Sequence, residues 1–189
     1  MPANSELLLT FTREGYRSYL VSVKTGPISI NHPPNLGTVM SEQGLVDEVY
    51  DALGVVADQS KGAIAVTALT MTGPIFSRLS VSIEPPAGDG PFFLDTNLQF
   101  VSDATGLSEE IILATFINLE EGEYVIPWRI EEPEEMSCGL LGNETIGMTH
   151  GLPAEQANAV RVKVRPGFVS GQNLILCSDV ADPDTDGGV

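Results

Sequence analysis

The residues best suited to chemistry are few. The chain has two histidines, His32 and His150, two cysteines, Cys138 and Cys177, and one tryptophan, Trp128. His32 sits in a proline-flanked loop, and His150 is remote from it in sequence. A metal held inside a β-barrel or sandwich by imidazoles needs a cluster of histidines, which two at unrelated positions do not supply. The sequence contains no G-x-S-x-G, no H-E-x-x-H and no phosphate-binding glycine loop. Paired carboxylates such as Asp103 with Glu109 or Glu110 have the residue types for glycoside hydrolysis. With 26 acidic residues such pairs arise by chance, and a solvated face is their default reading. The expectation is therefore a protein that is not an enzyme. No catalytic, cofactor-binding or metal-binding residue is assigned, no cofactor is implied, and no small-molecule ligand is expected.

Three other signals are weaker. Asp182-Pro183-Asp184-Thr185-Asp186-Gly187 matches the opening of a calcium loop, with glycine at the turning position. The bidentate glutamate that completes such a loop is missing from the string, so an acidic tail is the preferred reading. Asn143-Glu144-Thr145 is a glycosylation sequon of a kind common by chance. Cys138 and Cys177 lack CxxC spacing, and two free thiols are expected, with one disulfide as the alternative.

Two charged strips are more informative. Glu131, Glu132, Glu134 and Glu135 gather four carboxylates around Pro133. Arg161, Lys163 and Arg165 alternate with Val160, Val162 and Val164. If the valines face a core, alternation turns all three basic residues outward together. Each strip is either a solvated edge that discourages edge-to-edge pairing or one half of a complementary interface.

Charge sets the wider limits. Against the 26 acids stand nine basic residues, for a formal net charge of −17 and a pI near 4.2. Such a surface repels phosphate backbones and anionic headgroups, so no direct nucleic-acid contact is expected. Two explanations of the acidity stand side by side. One is solubility. The other is a high-salt habitat, where a Debye length of roughly 3 Å at 1 M makes self-repulsion cheap.

The elements that must position these residues read as strands. The 19 glycines and 13 prolines fall between apolar runs, which is the punctuation of many short strands. Leu7, Leu9 and Phe11 alternate in one strand and Tyr19, Val21 and Val23 in the next, an expected opening hairpin. Ile28-Ser29-Ile30 is a further short segment. Ala63 to Met71 is apolar enough for a strand covered on both faces. Leu79, Val81 and Ile83 are expected inward, and Leu94, Leu98 and Phe100 mark another strand. Ile111 to Leu119 and Tyr124 to Ile130 read as a second hairpin. An irregular excursion is expected from Glu131 to Pro153, followed by strands at 160–164 and 174–176. One amphipathic helix is expected over about 42–56, with Ser41 as N-cap and Leu45, Val46, Val49, Tyr50 and Leu53 on its apolar face.

The expected fold is all-β: a single β-sandwich or jelly roll of eight to ten antiparallel strands with that one helix. It occupies residues 1–178, with 179–189 as an acidic, flexible tail. No stretch is apolar enough to span a membrane as a helix, and no signal peptide is evident at the N-terminus.

A chain of 20.1 kDa, acidic, with three lysines and eight to ten strands, resembles the single jelly-roll capsid proteins of viruses. It is most similar in look to the smaller major capsid protein of haloarchaeal icosahedral viruses with an internal membrane, the sphaerolipovirus type. The likeness lies in size, strand pattern and composition over the whole chain. It implies a virion structural protein made in the host cytoplasm. Many copies would stand upright in an icosahedral shell, with copies of itself and a second, larger capsid protein as partners. A capsid cement or decoration protein is the near alternative. A carbohydrate-binding or adhesion sandwich is the more distant one, for which Trp128 and Tyr124 are the only plausible aromatic platform.

Overall fold

A computed structural model describes residues 6–24, 42–56, 58–72, 78–132, 136–140 and 159–179. Ten strands and one helix follow in chain order. They are β1 (Glu6–Phe11), β2 (Ser18–Lys24), α1 (Gln43–Leu53), β3 (Gly62–Thr72), β4 (Arg78–Val81) and β5 (Asp89–Asp95). The remainder are β6 (Ile111–Leu119), β7 (Gly122–Glu132), β8 (Met136–Leu140), β9 (Ala159–Val164) and β10 (Phe168–Asp179).

The strands form two sheets, an all-β sandwich as expected. The larger has seven strands in the order β1-β2-β10-β3-β6-β5, with β8 also paired to β10. The smaller is β4-β7-β9. Between them lies the main core. Ile64, Val66, Phe93, Ala114, Phe116 and Leu119 come from the large sheet, and Leu79, Val81, Tyr124, Ile126, Trp128, Val160, Val162 and Val164 from the small one. Strand alternation alone produces this: Tyr124, Ile126 and Trp128 of β7 and Val160, Val162 and Val164 of β9 are every second residue, apolar and buried.

The helix adds a third layer on the opposite face of the large sheet. Tyr50 packs with Ala63 of β3, Ile117 of β6 and Val169 of β10, flanked by Val46 and Leu53. Asp47, Glu48 and Asp51 stay exposed. This second cluster is why β3 and β6 are covered on both faces and read as near-continuous apolar runs. The helix begins with Glu42 as its cap residue, without a side-chain capping bond, and ends at Gly54 in the left-handed conformation. The predicted cap, Ser41, lies outside the described residues. Burial pushes the Tyr50 hydroxyl above its ordinary pKa of 10.0, with the nearby Arg17 cation pulling the other way.

Several expectations are corrected. The ladders are not all antiparallel: β10 runs parallel to both β2 and β3. This departs from the antiparallel pairing of a jelly roll. The second hairpin does not form. β6 pairs with β3 and β5, whereas β7 pairs with β4 and β9, so the turn at Glu120-Glu121 carries the chain from one sheet to the other. The expected strand at Leu94–Phe100 is displaced. β5 ends at Asp95, whose carboxylate accepts from the backbone N–H of Asn97 and Gln99 and closes a turn with Leu98 at positive φ. The excursion after Glu131 contains a strand, β8, and β10 runs through Asp179, the first residue assigned to the tail. Ile28-Ser29-Ile30, both histidines, the sequon and the Asp182–Gly187 string lie outside the described residues.

Candidate functional site

The three-stranded sheet turns its inner face to the core and its outer face to solvent. In β9, Val160, Val162 and Val164 are buried, while Arg161 and Lys163 are half-buried and Arg165 is exposed just past the strand end. The predicted outward strip therefore exists. On the neighbouring strand β7, Tyr124, Ile126 and Trp128 point inward, which leaves Glu123, Val125, Pro127 and Arg129 outward. Arg129 is exposed and extends the basic surface along the same face. Sequence reasoning missed it, although the alternation with Trp128 marks its side.

The register fixes what the strip meets within its own chain. Glu123 lies directly opposite Lys163, and Val125 opposite Arg161. Arg161 reaches diagonally to Glu123, with Nε 3.2 Å from Oε1 and both side chains roughly half exposed. Arg161 thus has a local partner in Glu123. Ser170 of β10 donates its hydroxyl to the Lys163 carbonyl at 2.5 Å, satisfying an acceptor on the β9 edge.

The acidic strip is placed elsewhere. Glu131 and Glu132 are the last residues of β7, where that strand pairs with β4, and Glu132 stands opposite Arg78. They lie six and seven residues along β7 from Val125, which faces Arg161, roughly 20 Å at strand rise. Glu134 and Glu135 lie outside the described residues. The structure brings Arg161, Lys163 and Arg165 together but does not bring Glu131 and Glu132 to them.

A second polar feature is an open hollow of about 680 Å³ where the segment before β3 meets the ends of β5 and β6. Its centre is Asn118, held at positive φ within β6. The Asn118 amide donates to the Val56 carbonyl at 3.2 Å and to Asp89 at 2.8 Å, and accepts from the Asp58 N–H at 2.9 Å. The Ser60 hydroxyl and N–H hold the Asp58 carboxyl below its usual pKa of 3.8, and Glu120, 3.0 Å away, raises Lys61 above 10.5. This arrangement explains the geometry of the turn. The polar groups named here are partnered with one another inside the hollow.

The aromatic platform is also resolved. Trp128 is 4 % exposed and Tyr124 is 6 % exposed, both inside the main core, and the Tyr124 hydroxyl donates to the Glu120 carbonyl at 3.1 Å. They offer no surface on which a sugar ring could stack. Asp103, Glu109 and Glu110 are exposed. No helix among the described residues is long and apolar enough to cross a membrane. No protein-family model, curated protein or solved structure matches the chain.

Proposed function

We propose that the protein is a virion structural protein, a capsid building block that assembles with copies of itself and with a second capsid protein into an icosahedral shell. The observation that supports this is the separation of charge along the three-stranded sheet. Arg129, Arg161, Lys163 and Arg165 hold four of the nine basic residues on or beside one solvent-facing sheet surface of a chain with net charge −17. Glu131 and Glu132 sit roughly 20 Å along β7 from the position that faces Arg161. A basic surface of this kind can meet the acidic surface of another copy, where opposite charges set register and reject wrong partners. A cement or decoration role on such a shell would use the same surface.

The test is the triple substitution Arg161→Ser, Lys163→Ser, Arg165→Ser. Exposed ion pairs contribute only about 0–1 kcal/mol each, so the melting temperature of one chain should hardly change. Particle mass by light scattering should fall, and the remaining assembly should become more sensitive to salt. A triple mutant that assembles like the parent would reduce the strip to a solvated face. A parent chain that stays monomeric with and without its native companions would overturn the capsid reading altogether.

The charge makes a separate prediction. Raising salt from about 0.1 M to 1 M shrinks the Debye length from roughly 10 Å to 3 Å and relieves repulsion among the acids. The melting temperature followed by circular dichroism should rise over that range. An unchanged value would leave solubility as the whole reason for the acidity.

A further inference from the structure

β10 is the hub of the large sheet. Along one edge it pairs with β3, and β2 and β8 divide the other, at Phe168–Ser170 and Ile175–Asp179 respectively. Among the described residues β8 joins the sheet through this one short antiparallel ladder. In its register Cys177 stands directly opposite Cys138, flanked by the pairs Leu176–Gly139 and Ser178–Ser137.

Directly opposed residues of an antiparallel pair share a face, with Cα atoms about 4.5 Å or 5.5 Å apart according to whether the pair is hydrogen-bonded. Both separations fall within the roughly 4.4–6.8 Å that a disulfide spans. These are also the only cysteines in the chain, so no other intramolecular pairing competes.

We propose that Cys138 and Cys177 are a disulfide site, a cross-strand clasp that locks β8 onto β10. A small-molecule disulfide is the oxidant. One cysteine thiolate attacks a sulfur of the reagent and displaces one reagent thiol, leaving a mixed disulfide on the protein. The opposed cysteine thiolate then attacks the protein-side sulfur and expels the second reagent thiol. Two protein thiols lose two electrons and two protons, and the reagent is reduced to two thiols. The clasp closes a loop on the order of 40 residues, from 138 to 177, and removes that loop's freedom from the unfolded chain.

The full-length protein, reduced and then incubated folded with oxidised glutathione, provides the test. The intact mass should drop by two hydrogens, free thiols should vanish, and peptide mapping should join the segments holding Cys138 and Cys177. The oxidised chain should melt on the order of 10 °C above the reduced one. Cys138→Ser and Cys177→Ser, each checked for folding by circular dichroism, should abolish that redox-dependent difference. Two thiols that remain titratable, a stable glutathione adduct on each, or disulfide-linked dimers would overturn the proposal. So would a bridged chain that melts with the reduced one.

Discussion

Replacing Trp128 with alanine is expected to cost about 3–5 kcal/mol of stability, which would leave a domain of ordinary stability barely folded. The ring is 4 % exposed, at the centre of the small sheet's inner face, among Val81, Tyr124 and Ile126 of the same core cluster. Its removal deletes a large apolar area and leaves a cavity that paired strands on both sides cannot collapse to fill. The indole Nε1 is buried and finds no acceptor among the described residues. Trp128→Phe would therefore discard an unpaired donor along with part of the ring, and should cost much less than alanine. Urea titrations of the two variants at fixed salt measure both effects. An alanine variant as stable as the parent would mean that the ring is outside the core, and would return it to the surface as a possible stacking platform.

The fate of Trp128 shows what the sequence could and could not convey. Alternation along a strand is local, so it announced that 124, 126 and 128 share a face and that Val160, Val162 and Val164 force their basic neighbours outward. It could not say which face was wet. Tyr124 and Trp128 fit a solvent-facing platform or a core equally well until the apolar face of β3 and β6 is known to lie opposite. The helix was readable for the same local reason, since Val46, Val49, Tyr50 and Leu53 recur at helical spacing and do face the sheet.

Pairing partners were harder to read. Ile111–Leu119 and Gly122–Glu132 are separated by a turn of hairpin length, and a hairpin was the natural expectation. What decides otherwise is non-local. β6 finds β3 and β5 as partners, β7 finds β4 and β9, and the faces of β6 and β7 then meet across the core. The parallel ladders of β10 were invisible for the same reason, because a parallel partner carries no turn signature in the intervening sequence. At the candidate interface, the strip on β9 came from alternation alone. Its separation from Glu131 and Glu132 depended on where β7 exchanges β9 for β4, which only the register reveals.

The place where the two sheets are held together predicts a second large effect, at Gly62. Gly62 opens β3 opposite Leu119, beneath the turn that carries β9 into β10. A Cβ there would lie 2.5 Å from Val164 Cγ1 and 2.6 Å from the Arg165 carbonyl oxygen, and the second of these is backbone that no rotamer can move. The same turn is anchored by the Gly167 N–H donating to the Lys61 carbonyl at 3.0 Å. Gly62→Ala must push the turn away and weaken that bond, so strain and lost hydrogen bonding together should cost about 2–4 kcal/mol. Gly44 is the matching control. It lies within α1, where an added Cβ meets nothing within 4 Å, and Gly44→Ala should stabilise by about 0.5–1 kcal/mol through helix propensity alone. Thermal melts of the two variants should therefore move in opposite directions. A Gly62→Ala protein that melts with the parent would mean that β3 and the β9–β10 turn are not in contact, and the closure of the sandwich at that corner would have to be redrawn.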